Sequence, residues 1–178
     1  MIIDCHGHYT TTPPGVGAWR DAQKEAVAAN PDHISEKGVM TVTDDEIRES
    51  IATNQLRFQQ ERGTDVTVFS PRASWMGHHV GNASTSQAWT EHCNELIRRV
   101  CSLFPDNFVP VCQLPQSPVT PIETSVAELR RCVEEMGFIG CNLNPDPSGG
   151  YWKDLPLGDR YWYPLYETMC ELDVPAMI

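Results

Sequence analysis

Short apolar segments alternate with amphipathic segments along most of the chain, and this alternation limits the possible folds more than any other feature. The apolar segments have the length of buried strands, and the segments between them carry apolar residues at helical spacing. Strands that alternate with helices favour a parallel sheet with right-handed crossovers. The five predicted strands are Ile2–Cys5, Asp65–Ser70, Asn107–Cys112, Phe138–Leu143 and Val174–Ile178.

Helix boundaries are marked by capping signals. Thr43 is followed three residues later by Glu46, and Thr120 is followed by Glu123, so both pairs have the spacing of a capping box. After Thr43 we expect one apolar helix face that ends at Gly63, a residue suited to the left-handed C-terminal turn. That predicted face comprises Ile47, Ile51, Gln55, Phe58 and Arg62.

Two architectures fit this alternation. A five-stranded doubly wound domain suits 178 residues, but no glycine-rich phosphate turn follows any predicted strand. A (β/α)8 barrel of the TIM type needs roughly 200 residues or more. The fifth predicted strand runs to Ile178 without a cap or polar tail, and a bare apolar strand invites association. We therefore expect the N-terminal part of a (β/α)8 TIM-barrel-type fold, residues 1–178, truncated after the fifth strand.

Charge and composition exclude several classes of partner. The chain has 24 acidic and 13 basic side chains, and a net charge of −11 disfavours nucleic acid and anionic membranes. No apolar run approaches the roughly 20 residues of a membrane helix, and the N-terminus lacks the basic region of a signal peptide. Seven cysteines without a C-x-x-C pair indicate free thiols in a reducing compartment, so we expect a cytoplasmic protein.

His6, Gly7 and His8 directly follow the first predicted strand and form the sharpest chemical signal in the sequence. Residues two apart on a strand point to the same side, so these two imidazoles are able to share one metal ion. Gly7 leaves room for a close approach of the backbone. Asp4 has the same parity and is expected to orient a metal ligand from behind. A pair of ordinary histidines in a turn is the alternative.

Polar residues also follow the second and fourth predicted strands. Arg72 is well placed to bind a substrate carboxylate through two hydrogen bonds, or else to pair with one of the many acids. Asn144 is a candidate substrate contact that shares a face with Asn142, whereas Asp146 suits turn chemistry. We expect His78 and His79 to lie in a solvated loop. Residues 10–42 are long enough for a lid or insert after the first strand.

Four stretches of the sequence together resemble the amidohydrolase superfamily, in the hydratase group of its amidohydrolase-related branch. They are residues 1–8, Ser70-Pro71-Arg72, residues 142–147 and residues 158–166. The resemblance implies a distorted (β/α) barrel with Zn²⁺, or another divalent metal, at the carboxyl ends of the strands. It implies His6 and His8 as metal ligands and Arg72 as a contact to substrate, with Asn144 a weaker assignment. The implied reaction is hydration of a carbon–carbon double bond in a small tricarboxylate from aromatic ring cleavage.

The resemblance also implies what residues 1–178 lack. In this superfamily the next metal-binding histidine follows the fifth strand, and a later histidine and an acidic ligand complete the site. We therefore expect residues 1–178 to be inactive alone, because the general acid–base group is expected beyond Ile178. We expect the full-length protein to be a homo-oligomer. Two alternatives remain: another zinc enzyme of the branch, a decarboxylase or a hydrolase, and a metal-free doubly wound binding domain.

Overall fold

The computed structural model describes residues 1–72, 75–118 and 120–178, which form an α/β fold with parallel sheets. Its strands are β1 (Ile3–His8), β2 (Val66–Ser70), β3 (Phe108–Pro110), β4 (Cys112–Gln113), β5 (Cys141–Asn142) and β6 (Ala176–Met177). β1, β2 and β3 pair in that order, and β4, β5 and β6 pair in that order.

The third predicted strand is divided into β3 and β4 at Val111, directly after Pro110. Proline has no N–H to donate to a ladder, which weakens strand pairing at this point. Backbone hydrogen bonds nevertheless continue across the break: Val111 N donates to Phe69 O at 2.9 Å, and Ile139 N donates to Pro110 O at 3.0 Å. The strands of the described residues therefore lie side by side in sequence order, with β1 at one edge. A doubly wound sheet has its first strand in the centre, so that alternative is wrong.

Side-chain contacts between distant strands show that this strand array is strongly curved. Neighbouring strands lie about 4.8 Å apart, so a flat array would separate β1 from β6 by on the order of 19 Å. Instead, the imidazole of His6 on β1 contacts the thioether of Met177 on β6. Asn142 on β5 likewise reaches Ser70 on β2, with 2.9 Å between Nδ2 and Oγ. The carboxyl ends of the strands thus converge on one region.

The helices pack apolar side chains into a single core. Along the helix Ala83–Leu103, the buried stripe contains Trp89, Cys93, Leu96, Ile97 and Val100. Val16 and Trp19 of the helix Pro14–Ala29 are also buried, and Trp19 stacks on Trp89 with 5.5 Å between ring centroids. The α-helices are α1 (Pro14–Ala29), α2 (Asp44–Thr53), α3 (Gln55–Arg62), α4 (Ala83–Leu103), α5 (Ile122–Arg130) and α6 (Tyr163–Leu172); a π-helical turn (Arg131–Glu135) follows α5 and a 3-10 turn (Arg160–Trp162) precedes α6.

The helix predicted between Thr43 and Gly63 is two helices, because the backbone at Asn54 departs from helical angles. The break turns α3 relative to α2, so Phe58 is exposed and Gln59 is buried instead. Gln59 Nε2 donates to Asn107 O at 2.9 Å, which ties α3 to the start of β3. The prediction of one continuous apolar face was therefore wrong, whereas Gly63 does adopt the left-handed C-terminal conformation.

Only one of the two predicted capping boxes forms. Thr43 and Glu46 make both reciprocal bonds, with Glu46 Oε2 accepting from Thr43 N at 2.8 Å. Thr120 does not cap α5, because the N-cap position is Pro121 and the Thr120 hydroxyl has no hydrogen-bond partner. Shifting the helix start by one residue moves Thr120 out of reach of the third helical N–H.

The first strand is more exposed than the sequence predicted, since Ile3 is 56% exposed although we expected a buried strand. Next to the last strand, Ile178 is 76% exposed. Among the described residues β1 pairs only with β2, and β6 pairs only with β5. Within the described ranges, no helix has the length and apolarity needed to cross a membrane.

Candidate metal and substrate site

The strand β1 carries one extra residue, and this irregularity shapes the candidate site. Asp4 pairs with Thr67, but Gly7 pairs with Phe69, so three steps on β1 match two steps on β2. A side chain at Gly7 is excluded because its Cβ would lie 2.3 Å from the Thr67 methyl group. Such bulges redirect side chains, and here His6 and His8 are presented at the carboxyl end of the strand.

The two histidines of the predicted metal pair converge. Their Nε2 atoms lie 2.7 Å apart, and the imidazole planes are nearly perpendicular, at 89°. The second nitrogen of each ring is occupied elsewhere: Nδ1 of His8 lies 2.7 Å from Ser70 Oγ and 3.2 Å from Pro71 O. Nδ1 of His6 contacts the Met177 thioether. The structure thus brings His6 and His8 together with their Nε2 atoms facing a common point.

This donor set fits a divalent metal ion in part. Imidazole nitrogens suit zinc and several other first-row metals, and a second contact on the far nitrogen is typical of metal-bound histidine. Two nitrogens on one tetrahedral ion lie about 3.3 Å apart, so the 2.7 Å pair must open by a few tenths of an ångström. No group of three or more candidate ligands occurs among the described residues. An ion bound between His6 and His8 would therefore need further ligands, and the metal site stays a prediction.

The electrostatic environment keeps His8 in the neutral form that binds metals. Burial is the main cause that lowers the pKa of His8, and the neighbouring His6 and the Arg72 guanidinium lower it further. Asp4 acts on the pair in two ways: its Oδ1 accepts the backbone N–H of His6 at 3.1 Å, and its charge raises the pKa of His8 against the larger effect of burial. The carboxylate therefore holds the backbone of His6, and its role in orienting a metal ligand stays a prediction.

Arg72 lies at the same end of the strands as the histidine pair. It directly follows Pro71, whose carbonyl faces His8, and its charge acts on the pKa of His8. Arg72 is exposed and borders a small apolar cavity together with Tyr9, Trp75 and Trp89. A cation in this position is close to the predicted metal pair.

Asn144 is held in its own loop, and no hydrogen bond joins it to the histidine pair among the described residues. Its Oδ1 accepts from Asp146 N at 3.0 Å, and its backbone N–H donates to Gln116 Oε1 at 2.8 Å. Asp146 in turn accepts backbone N–H groups from Ser148, Gly150 and Trp152, which is the predicted turn chemistry. The residue that does reach the histidine cluster is Asn142, through Ser70.

Sequence reasoning assigned no role to Ser70, Pro71 and Met177, although all three contact the histidine pair. In the sequence, Ser70 and Pro71 stand out only as the residues before Arg72, and Met177 only as part of the last strand. The one indication of a contact with the histidines is that Ser70 ends the strand next to β1.

Residues 10–42 pack against α4 and are anchored at several points. Trp19 stacks on Trp89, Ser35 Oγ donates to Thr85 Oγ1 at 3.0 Å, and Asn82 Nδ2 donates to His33 O at 2.8 Å. The segment contains α1 and covers one side of the core. Its role as a lid stays a prediction.

The two adjacent histidines after β2 have different environments. His79 is exposed, as expected of a solvated loop, and its ring contacts Tyr151 edge-on. His78 is buried, so the loop prediction was wrong for this residue. Burial lowers the pKa of His78 to about 4, and His79 beside it contributes to that decrease.

The buried His78 predicts a loss of stability in mild acid. The unfolded chain takes up a proton below pH 6.5, whereas the folded chain resists it until about pH 4. The free energy of unfolding should therefore decrease as the pH falls through this window, by about 3 kcal/mol in total from this group. Urea unfolding at pH 7, 5.5 and 4.5 should show a weaker pH dependence in His78→Gln. His33→Gln should retain the full dependence, and equal slopes in all three proteins would contradict the prediction.

Family comparison agrees with the fold. Residues 3–178 match the amidohydrolase family model, and the chain belongs to this family. It is 57% identical over 178 residues to 2-keto-4-carboxy-3-hexenedioate hydratase from Sphingobium sp. (strain NBRC 103272 / SYK-6), covering all of the chain and 51% of that protein.

Solved structures extend the comparison. The structure of 4-oxalomesaconate hydratase LigJ from Rhodopseudomonas palustris matches with a TM-score of 0.87 and 50% identity, covering 100% of this chain and 52% of that one. A dihydroxybenzoic acid decarboxylase from Polaromonas sp. JS666, solved with bound manganese, shares the fold at a TM-score of 0.61 and 20% identity, covering 98% and 48%. The chain thus spans about half the length of these relatives.

Proposed function

We propose that the complete protein is a metal-dependent hydratase that adds water to 4-oxalomesaconate. The product would be 4-carboxy-4-hydroxy-2-oxoadipate, formed in the degradation of lignin-derived aromatic compounds through protocatechuate or gallate. The observation that carries the proposal is the convergence of His6 Nε2 and His8 Nε2 at the end of β1. It occurs in a chain that is 57% and 50% identical to two hydratases with this type of substrate.

We also propose that residues 1–178 form the first five strands of a (β/α)8 barrel. Three observations support this proposal: the relatives are about twice as long, the strands lie in sequence order, and His6 on β1 contacts Met177 on β6. A closed barrel has no exposed strand edge, so the remaining strands of the complete barrel would cover the outer edges of β1 and β6. A cytoplasmic homo-oligomer is the form in which we expect the complete protein to work.

The reaction requires a hydroxyl group and a proton to be added across a carbon–carbon double bond. His6 and His8 would hold Zn²⁺ or another divalent ion, which when bound polarises a carbonyl group and lowers the pKa of water. The Arg72 guanidinium would bind a substrate carboxylate, and Asn144 would offer an amide to a second polar group. The group that transfers the proton is proposed to lie in the second half of the barrel.

An assay with two substrate classes tests the proposed reaction. The complete protein, loaded with Zn²⁺, should consume 4-oxalomesaconate with loss of the ultraviolet absorbance of the conjugated double bond. The same preparation should release no CO₂ from 2,6-dihydroxybenzoate. Decarboxylation without hydration would contradict the proposal and would favour the decarboxylase alternative, since this chain also has 28% identity over 133 residues to a gamma-resorcylate decarboxylase.

Replacing Arg72 by alanine should weaken substrate binding more than it slows the chemical step. Loss of a charged hydrogen bond costs about 1.5–3 kcal/mol, so kcat/KM should fall by roughly 10- to 150-fold, mainly through KM. Arg48→Ala, which removes an exposed arginine that pairs with Asp45 on α2, is the control and should leave both constants unchanged. Unchanged kinetics in Arg72→Ala would remove this residue from the site.

Zinc affinity should depend on the strands that follow residues 1–178. Two imidazoles alone fall short of the three protein ligands usual for catalytic zinc, so residues 1–178 should bind Zn²⁺ weakly. The exposed edges of β1 and β6 should also make this chain prone to self-association. The complete protein should be soluble and bind Zn²⁺ tightly. Calorimetry and sedimentation check both points, and a monomeric 178-residue chain with tight zinc binding would contradict the barrel proposal.

A further inference from the structure

The buried hydroxyl of Ser70 lies at the centre of a hydrogen-bond cluster behind the histidine pair. Ser70 is 3% exposed, and its Oγ lies 2.7 Å from His8 Nδ1. The same oxygen lies 3.1 Å from Gly7 O and 2.9 Å from Asn142 Nδ2. Side chains and backbone from β1, β2 and β5 therefore meet at this one oxygen.

Counting hydrogens at this cluster determines which nitrogen of His8 carries the proton. A serine hydroxyl has one hydrogen to donate and two lone pairs that accept. A carbonyl only accepts, so the single hydrogen of Ser70 goes to Gly7 O, and the Asn142 amide donates to one lone pair of the serine. The remaining lone pair faces His8 Nδ1, and Pro71 O, another pure acceptor, faces the same nitrogen at 3.2 Å. Both contacts require a hydrogen on Nδ1.

We propose that Ser70 and Asn142 are positioning residues that hold His8 in the tautomer with the hydrogen on Nδ1. In this tautomer the lone pair of Nε2 points toward His6 Nε2, 2.7 Å away, where a metal ion would be bound. The effect on the metal rests on the proposed function, whereas the tautomer follows from the hydrogen bonds alone. Neutral imidazole binds a metal only through its unprotonated nitrogen, so this tautomer prepares the site.

Asn142 acts through Ser70, because the structure gives it a hydrogen bond to the serine and none to either histidine. Its donated hydrogen occupies one lone pair of Ser70 and fixes the direction of the other. Asn142 is itself placed by the pairing of β5 with β4 and β6, where it lies opposite Gln113 and Met177. Removing Asn142 should therefore loosen Ser70 without removing the acceptor that His8 needs.

Nuclear magnetic resonance on the complete protein, prepared without metal, tests the tautomer directly. Long-range ¹H–¹⁵N correlations with ¹⁵N-labelled histidine distinguish a hydrogen on Nδ1 from one on Nε2. Wild-type His8 should be in the Nδ1–H form, and Ser70→Ala should give a mixture of tautomers because only the longer contact to Pro71 O remains. Ser125→Ala is the matched control: Ser125 is also buried and donates to Pro115 O at 3.2 Å, far from His8.

Zinc affinity of the complete protein provides the second readout. Ser70→Ala should raise the Zn²⁺ dissociation constant by about 10- to 100-fold, and Asn142→Ala by a smaller factor. The double variant should be no weaker than Ser70→Ala, because Asn142 acts through the serine. Ser125→Ala should leave zinc affinity unchanged even if it lowers stability.

The two readouts separate the failure of this inference from failure of the proposed function. A wild-type His8 with its hydrogen on Nε2, or a Ser70→Ala protein with unchanged tautomer and zinc affinity, would overturn the positioning role. Additive losses in the double variant would overturn the assignment of Asn142. If the wild-type complete protein bound no Zn²⁺ but His8 kept the Nδ1–H tautomer, the metal site would fail while the tautomer assignment stood.

Discussion

Replacing His8 by alanine in the complete protein should abolish zinc binding and hydration together. The variant removes one of the two converging Nε2 atoms, which lie 2.7 Å apart. Loss of an outer hydrogen-bond partner of a metal ligand already costs about 10- to 100-fold in affinity or activity. Loss of the ligand itself should exceed that, so we expect kcat/KM to fall by more than about 100-fold and zinc content to fall to trace levels.

A matched histidine variant separates this effect from a general loss of structure. His33→Ala removes an imidazole in the segment before α2. Asn82 and Ser84 donate to the backbone carbonyl of His33, so the substitution leaves these hydrogen bonds in place. Its zinc content, measured by atomic emission, and its kcat/KM should match those of the wild type. A His8→Ala protein that retains a full complement of zinc and activity would exclude His8 from the metal site.

Replacing Asn94 by alanine should cause the largest loss of stability among the substitutions considered. Asn94 is fully buried on α4, and its amide bonds both backbone groups of Gln113 on β4, each at 3.0 Å. Its Nδ2 also donates to the buried Glu128 carboxylate at 2.7 Å. The variant leaves a strand N–H, a strand carbonyl and part of a buried charge unpaired. We expect the free energy of unfolding to fall by about 3–5 kcal/mol.

Denaturant unfolding of the complete protein measures this loss, with an exposed asparagine as the control. The side chain of Asn30 accepts one local bond, from Asp32 N to Oδ1 at 3.1 Å, and Asn30→Ala should change the free energy of unfolding by less than about 0.5 kcal/mol. A loss below about 1 kcal/mol in Asn94→Ala would show that other groups or water replace the amide.

Local sequence patterns predicted most secondary structure because they act over short distances. Each of the five predicted strands overlaps at least one observed strand, and apolar residues at helical spacing along α4 are buried. The errors occurred where a single residue changes the backbone. Asn54 breaks the predicted helix into α2 and α3, and Val111 separates β3 from β4. The sequence around each break gives little indication of it, because the flanking residues keep their apolar spacing.

The sequence by itself determined the alternation of strands and helices and the pair of histidines at the end of the first strand. A spacing of two residues on a strand is a local property, so the convergence of His6 and His8 was predictable. Only the tertiary structure decided what surrounds the pair. Ser70, Asn142 and Met177 are 62 or more residues away from their histidine or serine partners in the chain, and the curved strand array brings them together. No local pattern encodes such contacts, because they depend on the order and curvature of the strands.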